Sequence, residues 1–148
     1  MDKLGRNVGF MTNKISNKLK RYVAAELDEY GITAEQWVII YTLYQQKQFN
    51  QKQLALELDK DAVTVARIIE ILIRKGFVEK ETSQADRRAY IVTLTESGKK
   101  LVDDLNIVLN QGLYRRVMKG LSKDMREAYL EALGQMDVNL SDLSTKNR

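Results

Sequence analysis

Residues 83–98 read SQADRRAYIVTLTESG, and the rest of the chain falls into order around them. The segment AYIVTL alternates its apolar residues at Tyr90, Val92 and Leu94, the period of a half-buried strand. FVEKET lies just upstream and is also rich in strand formers, so the two predict a β-hairpin whose loop is residues 83–88. That loop holds Asp86, Arg87 and Arg88 and no glycine. A hairpin tip that touches nothing has no use for two arginines and an aspartate, so their presence points to a contact. Immediately after the second strand, Thr95 is placed to cap a new helix.

Working upstream, AVTVARIIEILIRKG sets Val65, Ile68, Ile69, Leu72 and Ile73 on one helical face and stops at Gly76. Before it, NQKQLALEL predicts a short helix, with Asn50 and Gln53 as a capping pair and Leu54 and Leu58 as its buried stripe. Thr33 and Gln36 repeat that cap pattern at the head of a helix through Trp37, Ile40 and Leu43, and Gly31 suits the end of the helix before it. The first helix carries Leu4, Val8, Met11, Ile15, Leu19 and Tyr22 on one face. Downstream of Thr95 the stripe runs Leu101, Leu105, Val108 or Leu109, Leu113 and Val117. Ser122 then caps a last helix with Met125, Tyr129, Leu133, Met136 and Leu140, and the final STKNR is expected to fray. The predicted order is helix, helix, short helix, helix, hairpin, helix, helix.

Composition narrows the chemistry. The 148 residues include no cysteine, no histidine and no proline. Disulfides, thiolate metal sites and cysteine redox sensing are excluded, and so are the commonest general base and metal ligand. We expect no metal and no cofactor. Carboxylates are left as the main catalytic route, but adjacent Asp103 and Asp104 do not face each other on a helix, and there is no glycine-rich phosphate loop or nucleophile elbow. An enzyme is therefore not expected. The longest apolar run, Trp37 to Tyr41, is far too short to span a bilayer, and the charged start does not resemble a signal peptide. The chain reads as cytoplasmic, with no membrane partner. Its net charge is +4, and residues 60–100 carry nine basic against six acidic side chains.

A short helix, a turn, a longer helix and a hairpin form the layout of a winged helix-turn-helix. A major groove admits one α-helix, and a hairpin beside that helix can reach the neighbouring minor groove, where a narrow groove attracts arginine. Three motifs make the layout resemble a particular group: LALEL at 54–58, TVARIIEILIRKGFVEK at 64–80 and DRRAYIVTLTESG at 86–98. They are similar to the multiple-antibiotic-resistance regulator (MarR) family of bacterial winged-helix repressors, whose pattern is D-x-R followed by L-T-x-x-G.

The resemblance implies a mainly α fold with a small hairpin wing. Residues 1–32 would be an N-terminal dimerisation helix, 33–98 the winged helix-turn-helix lobe and 99–148 the C-terminal dimerisation helices. It implies that Arg88 is the minor-groove arginine of the wing and Asp86 the acidic residue that holds it. Thr64 and Arg67 match groove-contacting positions, and an arginine there can read guanine O6 and N7. Val63 stands where the family often has Ser or Thr, and offers a thymine methyl an apolar contact. We add Arg87, Lys52 and Lys60 as phosphate contacts. Each group also has a plainer reading: a solvated ion pair at the tip, a solvated face on the helix, ordinary surface lysines.

The flanking helices carry apolar stripes that a lobe this small cannot bury, and pairing with a second copy would cover both. The resemblance implies such a homodimer, bound to double-stranded DNA at a pseudo-palindrome. It further implies release by a small aromatic or anionic effector. Tyr22, Trp37, Tyr41 and Tyr44 are candidates to line the effector cleft, although their spacing fits core packing equally well. The competing function is a winged helix that binds an acidic protein and reads no DNA sequence.

Overall fold

The capping pairs legible in the sequence start their helices as expected. A computed structural model describes residues 3–85 and 89–146, with side chains at 7–85 and 89–144. Helix α1 spans Lys3–Asp28 and α2 Ala34–Gln46, with Gly31 between them at φ +67°. At the head of α2 the Thr33 hydroxyl accepts the Gln36 N–H at 3.1 Å while Gln36 Oε1 accepts the Thr33 N–H at 3.2 Å. Asn50 and Gln53 form the same reciprocal box at the head of α3, Gln51–Glu57. Each box satisfies two backbone donors that a helix start otherwise leaves open.

Between α2 and α3 lies a strand the sequence reading missed, β1 at Gln48–Asn50. The hairpin is β2, Val78–Thr82, and β3, Tyr90–Leu94. The three form one antiparallel sheet in the order β1-β3-β2. Phe49 pairs with Val92 across the first edge, and Lys80 pairs with the same Val92 across the second. Ser83 N–H donates to Ala89 O at 2.9 Å and closes the hairpin at its outer end. Of the alternating residues in β3, Val92 and Leu94 are buried, but Tyr90 is exposed because it sits past the end of the core.

Helix α4, Ala62–Arg74, follows α3 across a turn at Asp59, whose φ of +51° is one that aspartate tolerates better than most residues. The buried side of α4 is Val65, Ile68, Ile69 and Leu72, which joins Ile39, Ile40, Leu43, Leu54, Val78, Val92, Leu101 and Leu105 in one apolar core. At its C-terminus, Lys75 Nζ donates to the carbonyl of Gly31 and, at 3.0 Å, to Gln36 Oε1. One lysine thus ties the end of α4 to the α1–α2 turn and completes the bonding of Gln36, a buried polar side chain.

Helix α5, Glu96–Asn106, begins at the T-x-x-G of the opening motif. Thr95 N–H donates to Phe77 O at 3.1 Å, its hydroxyl donates to Gly76 O at 2.6 Å, and Gly98 N–H donates to the Thr95 hydroxyl at 3.1 Å. The start of α5 is so close to the β2 entry that a Cβ at position 98 would lie 2.2 Å from Phe77 O. Only glycine fits there. Beyond α5 the chain widens into a π-helical stretch, Ile107–Tyr114, in which Leu109 is buried and Val108 only partly so. A short α6 follows at Arg115–Val117.

The chain divides into two units, Met1–Leu113 and Tyr114–Arg148. In the second, Gly120 at φ +87° precedes α7, Lys123–Lys146, which Ser122 caps by accepting the Met125 N–H at 3.2 Å. Helix α7 continues through 144–146, where fraying was expected, and the Ser144 hydroxyl bonds back to the carbonyls of Leu140 and Ser141. No helix among the described residues is long and apolar enough to cross a membrane.

Candidate nucleic-acid interface

With one side of α4 in the core, its opposite side carries Val63, Arg67, Glu70 and Arg74, all exposed at steps of three and four residues. Val63 is 80% exposed in the first turn, so an apolar residue faces outward where nothing among the described residues covers it. Thr64 is half-buried on the flank of this row, and Arg67 stands one turn further along it. Lys52, in the first turn of α3, is exposed, and Lys60, in the turn between α3 and α4, is half-buried. The structure therefore gathers Lys52, Lys60, Val63, Thr64 and Arg67 around the helix-turn-helix. Asp86, Arg87 and Arg88 lie outside the described residues; by chain order they join β2 to β3.

Two contacts went unread in the sequence. The first is at the head of α4, where Asp61 is the N-cap: Oδ1 accepts the Thr64 N–H at 2.8 Å and Oδ2 accepts the Thr64 hydroxyl at 2.6 Å. The hydrogen bond from that hydroxyl, then the one from the Thr64 backbone, holds the Asp61 carboxyl below its ordinary pKa. An Asp three residues before Thr64 at a helix start was signal enough to find the backbone cap, though not the bond from the hydroxyl.

The second ties the wing to α4. Lys80 on β2 donates to Glu70 Oε1 on α4 at 2.9 Å, and the same ammonium lies 4.7 Å from the centre of the Tyr90 ring on β3. One cation thus joins both strands of the wing to the helix beside them. Glu70 and Lys80 are ten residues apart on different elements, so no local spacing could reveal the pair.

The four aromatics proposed for an effector cleft do not all meet. Trp37 and Tyr41 are half-buried against the core with ring centres 5.5 Å apart, and Tyr44 stacks on Tyr41 at 6.4 Å. Tyr44 also donates its hydroxyl to Asp103 on α5 at 3.1 Å, and that hydrogen bond, with the carboxylate charge, raises its pKa. Tyr22 is exposed on α1, with its ring beside the Arg21 guanidinium. A separate depression of ≈ 210 Å³ opens toward the outer end of the hairpin, beside β1 and the head of α3, lined by Phe49, Gln53, Ser83, Ala89 and Ile91 among others.

A helix with an apolar inner side and a mixed, arginine-bearing outer side, followed by a hairpin that completes a three-stranded sheet, defines a winged helix-turn-helix protein. Residues 32–90 match the family model described as MarR family. A MarR transcriptional regulator from Methanosarcina mazei Go1 is 26% identical, with a TM-score of 0.80 over 92% of this chain and 98% of that one. A MepR–DNA complex from S. aureus is also 26% identical, with a TM-score of 0.76 over 90% of this chain and 97% of that one. A cysteine-to-serine mutant of MarR from E. coli is 25% identical, with a TM-score of 0.75 over 93% and 98%. Over residues 32–90 the chain is thus similar to the MarR family, and nearly its whole length shares the fold of these three structures.

Proposed function

We propose that this protein is a sequence-specific DNA-binding regulator of transcription that acts as a homodimer on a pseudo-palindromic operator. The observation that carries this reading is the outer face of α4. Val63 and Arg67 are exposed on it in a winged helix-turn-helix, and a relative of 26% identity spanning most of the chain has been solved bound to DNA. In this reading α4 enters the major groove, Arg67 reads a base or clamps a phosphate, and Val63 meets a thymine methyl. Lys52 and Lys60 bind phosphates beside it. Arg88, held by Asp86, reaches the minor groove from the wing, and Arg87 adds a phosphate contact.

The homodimer is supported by two apolar stripes, each of which its own helix leaves uncovered. On α1, Val8, Met11, Ile15 and Tyr22 are exposed, and on α7 so are Met125, Tyr129 and Leu140. Residues 1–32 and 99–148 are the dimerisation segments in this reading, and 33–98 the DNA-binding lobe. Repression, and relief by a small aromatic or anionic effector bound near Tyr22, Trp37, Tyr41 and Tyr44, follow the family resemblance. An effector must favour one spacing of the two lobes over another to change DNA affinity.

Selection of bound duplexes from a random library at near-physiological salt tests the proposal. A recovered pseudo-palindrome supports it, with affinity that falls steeply as salt rises. A folded dimer that enriches no sequence and binds with a flat salt response would favour the protein-interaction module instead. On the recovered site, Arg88→Ala should weaken binding by about 1–3 kcal/mol with the melting temperature unchanged, and Arg67→Ala should alter preference at one position per half-site. Uniform weakening by Arg67→Ala across all sequences would make it a phosphate contact.

A further inference from the structure

The head of α4 has a hydrogen-bond polarity that its residue types alone do not fix. A threonine hydroxyl has one proton and two lone pairs, so it can approach a base as donor or acceptor. Here the choice is made inside the protein. Thr64 Oγ1 lies 2.6 Å from Asp61 Oδ2, and an ionised carboxylate only accepts, so the hydroxyl must be the donor. The hydrogen bonds that gather on Asp61 keep it ionised. The Thr64 backbone N–H is spent on the other oxygen of the same carboxylate. What remains on this edge is the lone pairs of Thr64 Oγ1 beside the exposed Asp61 carboxylate.

Such an edge cannot favour all four bases. In the major groove adenine presents its N6 amino group and cytosine its N4 amino group, whereas guanine O6 and thymine O4 are acceptors. An acceptor edge pairs with an amino hydrogen and repels a keto oxygen. Arg67, three residues along the helix, has the opposite polarity, because a guanidinium only donates. Resting on the reading of α4 as the groove helix, we propose that Thr64, polarised by Asp61, is a specificity-determining residue that selects the exocyclic amino group of adenine or cytosine. Donor and acceptor then alternate along α4: Thr64 and Asp61 take an amino-bearing base, and Arg67 takes guanine or a phosphate. The negative carboxylate at the head of α4 also fills the place where a helix start would otherwise draw a DNA phosphate, so the phosphate contacts fall to Lys52 and Lys60.

The test compares duplex selections with the full chain and with Thr64→Val, which keeps the shape and removes the hydroxyl, after both are shown to melt alike. One half-site position should carry adenine or cytosine with the native chain and lose that preference with the variant. Replacing the base there by its analogue without the amino group, purine for adenine or 2-pyrimidinone for cytosine, should weaken native binding by about 3–10-fold and leave Thr64→Val unaffected. Asp61→Asn keeps an oxygen to cap the Thr64 N–H but offers the hydroxyl an amide N–H, which frees its proton. That variant should admit guanine or thymine at the same position. A native preference for a keto base there, or a site whose preferences Thr64→Val leaves unchanged, would overturn the inference. If no duplex is enriched at all, the DNA-binding reading itself fails and takes the inference with it.

Discussion

The helix-turn-helix lobe and α7 carry apolar stripes of the same helical period, yet they have opposite fates. In the lobe, Ile39, Leu54, Ile69 and Leu72 are fully buried, supplied by three helices. In α7, Met125, Tyr129 and Leu140 lie open, as do Leu130, Val138 and Leu143 between and beyond them. A period of three and four residues says which face is apolar; it does not say what covers that face. The lobe closes on itself because short turns bring its elements back together. The stripe of α7 has no such return within its own helix, and under the proposed homodimer a second copy of the chain would cover it.

The largest expected effect breaks the closed side of this comparison. Gly98→Ala forces a Cβ to within 2.2 Å of the Phe77 carbonyl, at a junction where backbone cannot easily give way. We expect a loss of about 3–4 kcal/mol in lobe stability, read by thermal or denaturant unfolding. A variant as stable as the parent would show that α5 can slide away from β2. The open side is sharpened by Met125→Glu with Tyr129→Glu on α7. If these residues pair with a second copy, the double variant should lose about 2–3 kcal/mol of association free energy and sediment as a monomer with its helical content kept. Unchanged mass at micromolar concentration would mark the stripe as solvent-facing.

A subtler effect belongs to the Asp61 cap. Its carboxyl has a lower pKa in the folded chain than in the unfolded one, so ionised Asp61 favours the folded state above the unfolded value. That contribution is lost as pH falls through the depressed folded value. The gap in melting temperature between the native chain and Asp61→Asn should therefore shrink on acidification below the ordinary aspartate range, and a gap constant down to about pH 2 would contradict the linkage. Smallest of all is the tie between wing and helix. Glu70→Gln leaves Lys80 on the Tyr90 ring and removes only a partly exposed ion pair, so stability should change by less than ~1 kcal/mol. A larger loss would mean that the pair holds the wing in place.

Local chemistry was the most legible part of the molecule. The boxes at Thr33 and Asn50, the cap at Ser122 and the stops at Gly31 and Gly76 each rest on residues within a few positions of one another. The Asp61 cap was equally local and was passed over. Strand β1 was not legible, because three residues are too few to show an alternation and Gln48–Asn50 is a strand only by pairing with β3. The choice between Val108 and Leu109 stayed open in the sequence because the helix widens there and shifts the register, which buries Leu109. Among the site residues, Arg67 and Val63 could be placed on the outer face of α4 from periodicity alone. The bond that turns Thr64 into an acceptor needed coordinates.

By itself, then, the sequence determined where helices start and stop, which face of each is apolar, and that a charged hairpin follows a helix-turn-helix pair. Those properties depend on backbone groups and side chains only a turn apart. Tertiary structure decided the third strand, the need for glycine at 98, the Lys75 clamp on the α1–α2 turn and the Glu70–Lys80–Tyr90 tie. Each of these arises where segments far apart in the chain are brought within contact distance, and no spacing along the chain encodes a distance across it.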